Sequence, residues 1–360
     1  MTRCLSFAAL LVVFVLALSA FGQERDRGDI LGPLPVRDQY LLSNGFFFFD
    51  PESAHVLDEN DWLVDLHGAD SNTFAKSRWI SHNLAGDTDR RTGAQTLGLI
   101  RMDDGQAVFL VDGEIHRTTL TAHRGLGANL EVGIAVPFAT IGGGNDDAFI
   151  EHFHAAFHLG GDERPAMQRN RETVYIRTDD GRTFFRQHSA NEQLGDVALS
   201  AKYELSAFED PNLALSVEGA LELPTGNAQT LDGSGSLDGG VQLLATRDYG
   251  RTRLHASAGM LLLGRNSALG TKSQFVITDS VAVSTLIAGR TSATAQIAIS
   301  QSPFRTIGAP ELTRRSYQLT VGIQHAIGRT LTAYAGIVEN LITYQNSADA
   351  GLVWGVTRRF

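Results

Sequence analysis

The sequence predicts an all-β protein, a transmembrane antiparallel β-barrel of about twelve strands with a long extracellular loop that carries a short helix. Three observations predict it. Apolar residues recur at every second position through most of the chain after residue 60. The connections between these segments alternate between short and long, and the last segment ends on an aromatic residue. Period-two alternation marks strands with one polar and one apolar face. A soluble sandwich alternates too, so the connections decide. Bacterial outer-membrane barrels keep short turns on the periplasmic side and long loops outside, and a sandwich has no reason to.

Composition narrows the class further. The 360 residues carry a net charge of -10, with 19% charged and 43% hydrophobic residues and 37 glycines. That apolar fraction excludes a disordered acidic chain. An acidic balance without a Lys/Arg run argues against a nucleic-acid partner. The one cysteine, Cys4, excludes a disulfide framework or a cysteine zinc site. Met1 to Gly22 has the form of a secretory leader: Arg3, an apolar stretch from Leu5 to Leu18, and Ala20-Phe21-Gly22 before Gln23. The expectation is cleavage near Gly22 and passage to the outer membrane. No apolar run long enough for a transmembrane helix follows Gln23.

Strands are expected near 61–70, 106–120, 125–138, 194–207, 213–223, 236–247, 251–263, 277–288, 291–301, 315–327, 330–340 and 349–360. The segment 213–223 shows the pattern: Leu213, Leu215, Val217, Leu221 and Leu223 lie on one face, with Ser216, Glu218 and Glu222 on the other. Short turns are expected at His123-Arg124, Glu209 to Asn212, Asp248-Tyr249-Gly250, Gly289-Arg290 and Gly328-Arg329. Long connections fall at 71–105, 139–193, 224–235, 264–276, 302–314 and 341–348. In the last strand Leu352, Trp354, Val356 and Phe360 share a face. That end resembles the signal read by barrel-assembly machinery, although Arg358 stands where an apolar residue is usual. Outer-membrane lipid, lipopolysaccharide and the assembly machinery are the partners this implies. An even strand number suits bacterial barrels, and closure removes exposed sheet edges.

Two regions exceed a plain barrel. Residues 23–60, read as an N-terminal periplasmic or plug segment, contain Phe46 to Phe49, four aromatics expected to pack into the periplasmic mouth or against a strand, the alternative being an extra strand in contact with lipid. The barrel proper is expected over 61–360, with 139–193 as its long extracellular loop. There Asp146-Asp147 and Gly160-Gly161 punctuate a helix near 147–159, and Thr173 to Arg186 suits a hairpin turning at Asp179-Asp180-Gly181.

Asp112-Gly113-Glu114, Val136-Pro137, Gly143-Gly144, Asp147, Ile150, Phe153-His154, Arg164 and Asn170 carry a family likeness. The stretch from Pro33 to Asn170 resembles a bacterial outer-membrane family catalogued as a domain of unknown function. Asn145 and Asp146 depart from the apolar residues expected between its glycines and Asp147. The resemblance implies a barrel and no activity.

Candidate chemistry is sparse. On a helix, Glu151, His154 and His158 share a face suited to a metal ion, or they are the solvated face of a helix that buries Phe149, Phe153 and Phe157. His255-Ala256-Ser257, followed by Asn266, resembles the His-x-Ser of outer-membrane phospholipase. Strand parity turns His255 and Ser257 inward, away from a lipid substrate, so a lipid hydrolase ranks third among the readings. Gly142-Gly143-Gly144 lacks the Lys-Ser/Thr of a phosphate loop and reads as a turn. The lumen is more informative: Asp65, Asp112, Glu114, Glu131, Asp196, Glu204, Glu218 and Glu222 are read as inward, against Lys202 and Arg253. If water fills the barrel, acidic walls favour cations; if it is filled, the same charges form an internal network. The leading expectation is a passive channel or small-solute transporter without a cofactor, and the alternative is a closed structural or interaction barrel.

Deleting Phe360 is expected to impair barrel assembly. Outer-membrane fractionation with a heat-modifiability gel checks this, and unchanged assembly would remove the terminal strand's assembly role.

Overall fold

Every strand of a closed sheet has two neighbours, and the pairing here meets that condition. The computed structural model describes residues 30–86, 107–144, 166–186, 192–205, 210–342 and 345–360. The leader, the helix expected near 147–159 and the trio Glu151, His154 and His158 lie outside the described residues. Twelve long strands form the wall: β1 (Trp62–Lys76), β2 (Val108–Gly125), β3 (Leu130–Gly142), β7 (Val197–Glu204), β8 (Leu213–Leu223), β9 (Asp238–Tyr249), β10 (Thr252–Leu263), β11 (Gln274–Ala288), β12 (Thr291–Ser300), β13 (Ser316–Ile327), β14 (Leu331–Asn340) and β15 (Ala350–Arg359). Each pairs antiparallel with the next, and β1 pairs with β15 from Leu63–Arg359 to Asn72–Ala350, closing the barrel. Three short strands lie beyond the wall: β4 (Thr173–Arg177) extends β2, β5 (Thr183–Arg186) forms the expected hairpin with β4, and β6 (Glu192–Leu194) joins β3.

The outer face follows the alternation. Leu243, Met260, Phe275, Val281, Ile337 and Leu352 are each more than half exposed, while their strand neighbours Gln242, Leu261, Val276, Ala282, Val338 and Val353 are buried. An exposed apolar belt around a closed barrel is the surface a bilayer covers. At the seam Trp354 lies flat over Gly68, where any Cβ would meet its ring at 2.5 Å. Arg358, out of pattern in the sequence, stacks 4.6 Å from the Phe360 ring centroid, a cation–π contact at the short-turn rim.

Among the described residues the chain reverses at the expected short turns with one adjustment. Gly250, Gly289 and Gly328 take positive φ there, the conformation that favours glycine in tight turns. The turn expected at His123-Arg124 instead falls at 126–129, because β2 runs on to Gly125. His123 faces the lumen, its Nδ1 3.0 Å from Glu131, while Arg124 on the outer face lies 5.3 Å from the Trp62 ring. Polar residues inside a barrel strand are not turn signals when the lumen is polar. The short helix that is described, α1 (Arg78–Leu84), follows β1 in the 71–105 connection.

Residues 30–60 run inside the barrel as a strap. The chain enters at the short-turn end, climbs to a 3-10 turn at Leu41–Gly45, and descends to Asn60, whose amide donates to the Gly125 carbonyl at 3.0 Å. Phe46, Phe47 and Phe48 therefore sit not at the short-turn mouth but at the loop end. There they join Tyr40, Leu41, Phe109, Ile141, Val174, Leu261 and Phe304 in one buried core. Phe304 packs edge-on against Tyr40 and Phe46 at 5.8 and 5.7 Å. This core caps the lumen. Burying such rings contributes on the order of 1.5–3 kcal/mol each.

Within the cap, Glu172 is fully buried with Arg186 Nε 3.2 Å from its carboxylate. Burial pushes the carboxyl up to about 7; Arg186 opposes the rise and Asp232 adds to it. The folded cap thus holds a proton that an unfolded glutamate releases near its ordinary value of 4.5. The cap's stability is greatest below that value and declines as pH rises to about 7. Amide-exchange protection of β4, corrected for intrinsic rates, is expected to fall between pH 5 and 8, and Glu172→Gln should flatten the dependence. An equally pH-dependent variant would assign the effect elsewhere.

Candidate functional site: the strapped lumen

An extended segment inside a barrel brings backbone amides and carbonyls that need partners. The wall supplies them from side chains at alternate positions on successive strands. Gln296 accepts from the Leu34 amide at 2.8 Å and donates to its carbonyl at 2.9 Å. Gln318 accepts from Gln39 N at 3.0 Å and donates to Arg37 O at 3.1 Å. Gln324 Nε2 and Ser284 Oγ both reach Gly32 O, at 2.6 and 2.8 Å. The rising arm is thus held as a sheet neighbour would hold it, by amide side chains in place of backbone.

Charged residues hold the descending arm. Glu131 accepts from Leu57 N at 2.9 Å and pairs with Lys202 at 3.2 Å; Lys202 also reaches Glu52 at 2.9 Å. Glu204 accepts from Val56 N at 3.1 Å, and Thr246 Oγ1 accepts from Ala54 N at 2.8 Å. Glu218 accepts from Gln242 at 2.6 Å. At the short-turn rim Arg359 pairs with Asp58 at 2.8 Å and Arg253 with Asp248 at 2.6 Å.

Between the descending arm and the wall of β1, β2, β3, β7 and β8 lies a cavity of about 540 Å³. It opens at the short-turn mouth beside Asp58, Asp248 and Arg359 and ends beneath the cap at Arg37, Asp196 and Glu222. Nine carboxylates line it against five Lys and Arg, so the field inside favours positive charge. Asp65 accepts from the Tyr334 hydroxyl at 3.1 Å and bonds His67 at 2.6 Å. Asp196 accepts from the Gly226 and Ser234 amides at 2.6 and 2.8 Å. Asp65, Glu131, Asp196, Lys202, Glu218, Glu222 and Arg253 all border this space; Glu204, at the end of β7, is bonded to the strap at Val56.

Asp112 and Glu114 do not. Leu120 faces outward, and period-two counting from it puts Glu114 and Asp112 on the outer face of β2. Gly113 between them turns inward to Leu41. Both carboxylates are buried outside the lumen, near the loop end; Glu114 lies against Gly144. The argument that lipid forbids an outward carboxylate does not apply there, because loops and not lipid cover that end of the strand. The same parity places Arg117 and His123 inside, and both line the cavity. Sequence reasoning missed them, along with His67 and the strap residues Arg37, Asp50 and Glu52. Counting from Leu120 would have found the wall residues of β2; no local pattern signals the strap's path.

Of the His-x-Ser segment, His255 belongs to strap binding and Ser257 to the wall. His255 Nε2 donates to Leu31 O at 2.7 Å and Nδ1 meets Thr246 Oγ1 at 3.0 Å. Ser257 bonds Ser280 at 2.7 Å, and Asn266 Oδ1 accepts from Leu269 N at 3.0 Å. Among the described residues no group of three or more His, Cys, Asp or Glu is placed to hold a metal ion.

Comparison with solved structures agrees on architecture. The COG4313 outer-membrane channel from Pseudomonas putida F1 superposes with a TM-score of 0.55 at 12% identity, covering 87% of this chain and 100% of its own. The NanC porin gives 0.43 at 8% identity over 82% and 98%. The Ralstonia pickettii toluene transporter TbuX gives 0.39 at 9% over 84% and 90%. At such identities the first likeness shows the outer-membrane β-barrel fold. No curated protein matches the chain in sequence. A family model does, over residues 91–360, which takes in all of the barrel but β1, well past the N-terminal half where the motifs lie. The chain belongs to the family described as protein of unknown function DUF3187.

Proposed function

We propose that this protein is an outer-membrane channel for small solutes whose N-terminal strap narrows the lumen and closes it beneath the outer loops. The observation that carries the proposal is the charged cavity of about 540 Å³ that enters from the short-turn mouth and stops under the hydrophobic cap. A barrel built only as a scaffold has no need of a solvent-lined space with uncompensated acid. The P. putida protein of like fold is named a channel, which accords with the proposal. On this reading the short turns face the periplasm and the long loops face outward. The competing closed structural barrel draws on the cap itself, since packed aromatics pass nothing while they stay packed.

Loosening the strap separates the two. Replacing Gln296 and Gln318 by alanine leaves the Leu34 amide and carbonyl and the Gln39 amide without their partners. Each such loss costs about 1–3 kcal/mol, enough to release an arm held by a few bonds. In planar bilayers the wild type is expected to give small, infrequent openings, and the double variant conductance several-fold higher. Reversal potentials in a salt gradient should show cation preference. Silence from both proteins would leave the closed barrel, and anion preference would overturn the charge assignment.

A further inference from the structure

The inner end of the cavity holds two carboxylates that the strap does not use. Glu222 is only 4% exposed, lines the cavity, and accepts no hydrogen bond from any described residue. Asp50 lines it as well, and its Oδ1 is buried without a partner. The other carboxylates that the sequence and the structure both place inside the lumen are engaged: Asp65, Glu131, Asp196, Glu204 and Glu218 each have a named hydrogen-bond partner. A buried carboxyl without a partner costs free energy unless something arrives to bond it.

Arg37 and Arg117 stand near enough to attract the Glu222 charge, but their hydrogen bonds go elsewhere. Arg37 donates through one nitrogen to the carbonyls of Ser43 and Phe46, and Arg117 donates to Asn44 Oδ1 at 2.7 Å. Both guanidiniums thus hold the strap's turn. Aromatic surface lies beside the free carboxyls. Phe47 and Phe49 pack edge-on at 4.9 Å and both line the cavity. Phe49 lies against Gly240, which pairs with Ala220, two residues from Glu222 along β8. A pocket of a few hundred Å³ with an apolar wall and one or two convergent polar groups is the usual form of a small-molecule site.

We propose that the inner end of the lumen cavity is a binding site for a compact organic cation, a primary amine on an aromatic or aliphatic body. The ammonium donates to Glu222 and Asp50, and the body lies against Phe47 and Phe49, whose ring faces also attract the charge. The site deepens the channel reading by naming a solute class, and it rests on that reading only for access to the cavity.

The test uses the full chain in detergent with phenethylammonium as probe, phenethyl alcohol as its neutral analogue and phenylacetate as its anionic one, each titrated calorimetrically. Phenethylammonium is expected to bind at least tenfold tighter than either analogue. Glu222→Gln and, separately, Asp50→Asn should each weaken it about tenfold. The Asp50 variant, on the strap and outside the wall, serves if the Glu222 variant fails the heat-modifiability test. Equal binding of the three probes, or full-strength binding by a folded variant, would overturn the site. Binding by a protein that never conducts would keep the site and reject the channel; conduction with no probe binding would do the reverse.

Discussion

A backbone carried out of water must find its hydrogen bonds wherever it goes, and this lumen is built to provide them. The strap brings extended chain into the barrel with no neighbouring strand to pair with. Gln296, Gln318, Gln324, Ser284 and His255 stand in for that strand, each reaching a strap amide or carbonyl. Their spacing follows from sheet geometry. Adjacent strands lie about 4.8 Å apart and inward positions repeat every second residue, so polar side chains at those positions form a ladder. Without it, burying the strap would leave orphan polar groups, and the aromatic cap would have no stem to carry it.

The wall was legible for the same reason. Its strands answer to two solvents, lipid outside and a polar interior, and that demand writes period two into the sequence. All twelve strands are present where alternation puts them, and Gly250, Gly289 and Gly328 mark three of the turns. Reading faltered where a strand leaves the bilayer. Beyond it the outer face is free to carry charge under loops, and Asp112 and Glu114 use that freedom. His123-Arg124 misled in the opposite sense, as polar residues that belong to a strand. The strap was harder still, because its partners are distant in sequence. Gln296 and Leu34 are separated by 262 residues, and a single glutamine in a strand says nothing about what it will grip.

Charge in the lumen divides into two populations with different work. Near the short-turn mouth and along the descending arm, acids and bases are matched: Glu131 with Lys202, Asp58 with Arg359, Asp248 with Arg253. Ion pairs of this kind contribute little net stability, since desolvation offsets attraction. Those that join strap to wall, Asp58 with Arg359 and Glu52 with Lys202, set the height of the descending arm in the barrel. Deeper in, Arg37 and Arg117 turn to the strap's own carbonyls and side chain, leaving Glu222 and Asp50 to the cavity.

The two ends of the strap are held by different physics, and the difference sets which one yields. At the loop end the hold is apolar: Tyr40, Leu41 and Phe46 to Phe48 lie in a common core with Phe109, Phe304 and Leu312. Such packing is short-ranged, and a radial gap under 1 Å already forfeits a quarter to a half of the dispersion attraction. Below it the hold is a set of hydrogen bonds, and water entering the lumen can replace these one at a time. A displacement that begins at the wet end therefore meets small, separable costs, whereas one that begins at the cap must open the whole core at once. The cavity already admits solvent to the descending arm between Asp58 and Glu222. Loosening by that route would proceed from the short-turn mouth toward the cap, with the aromatic core the last contact to part.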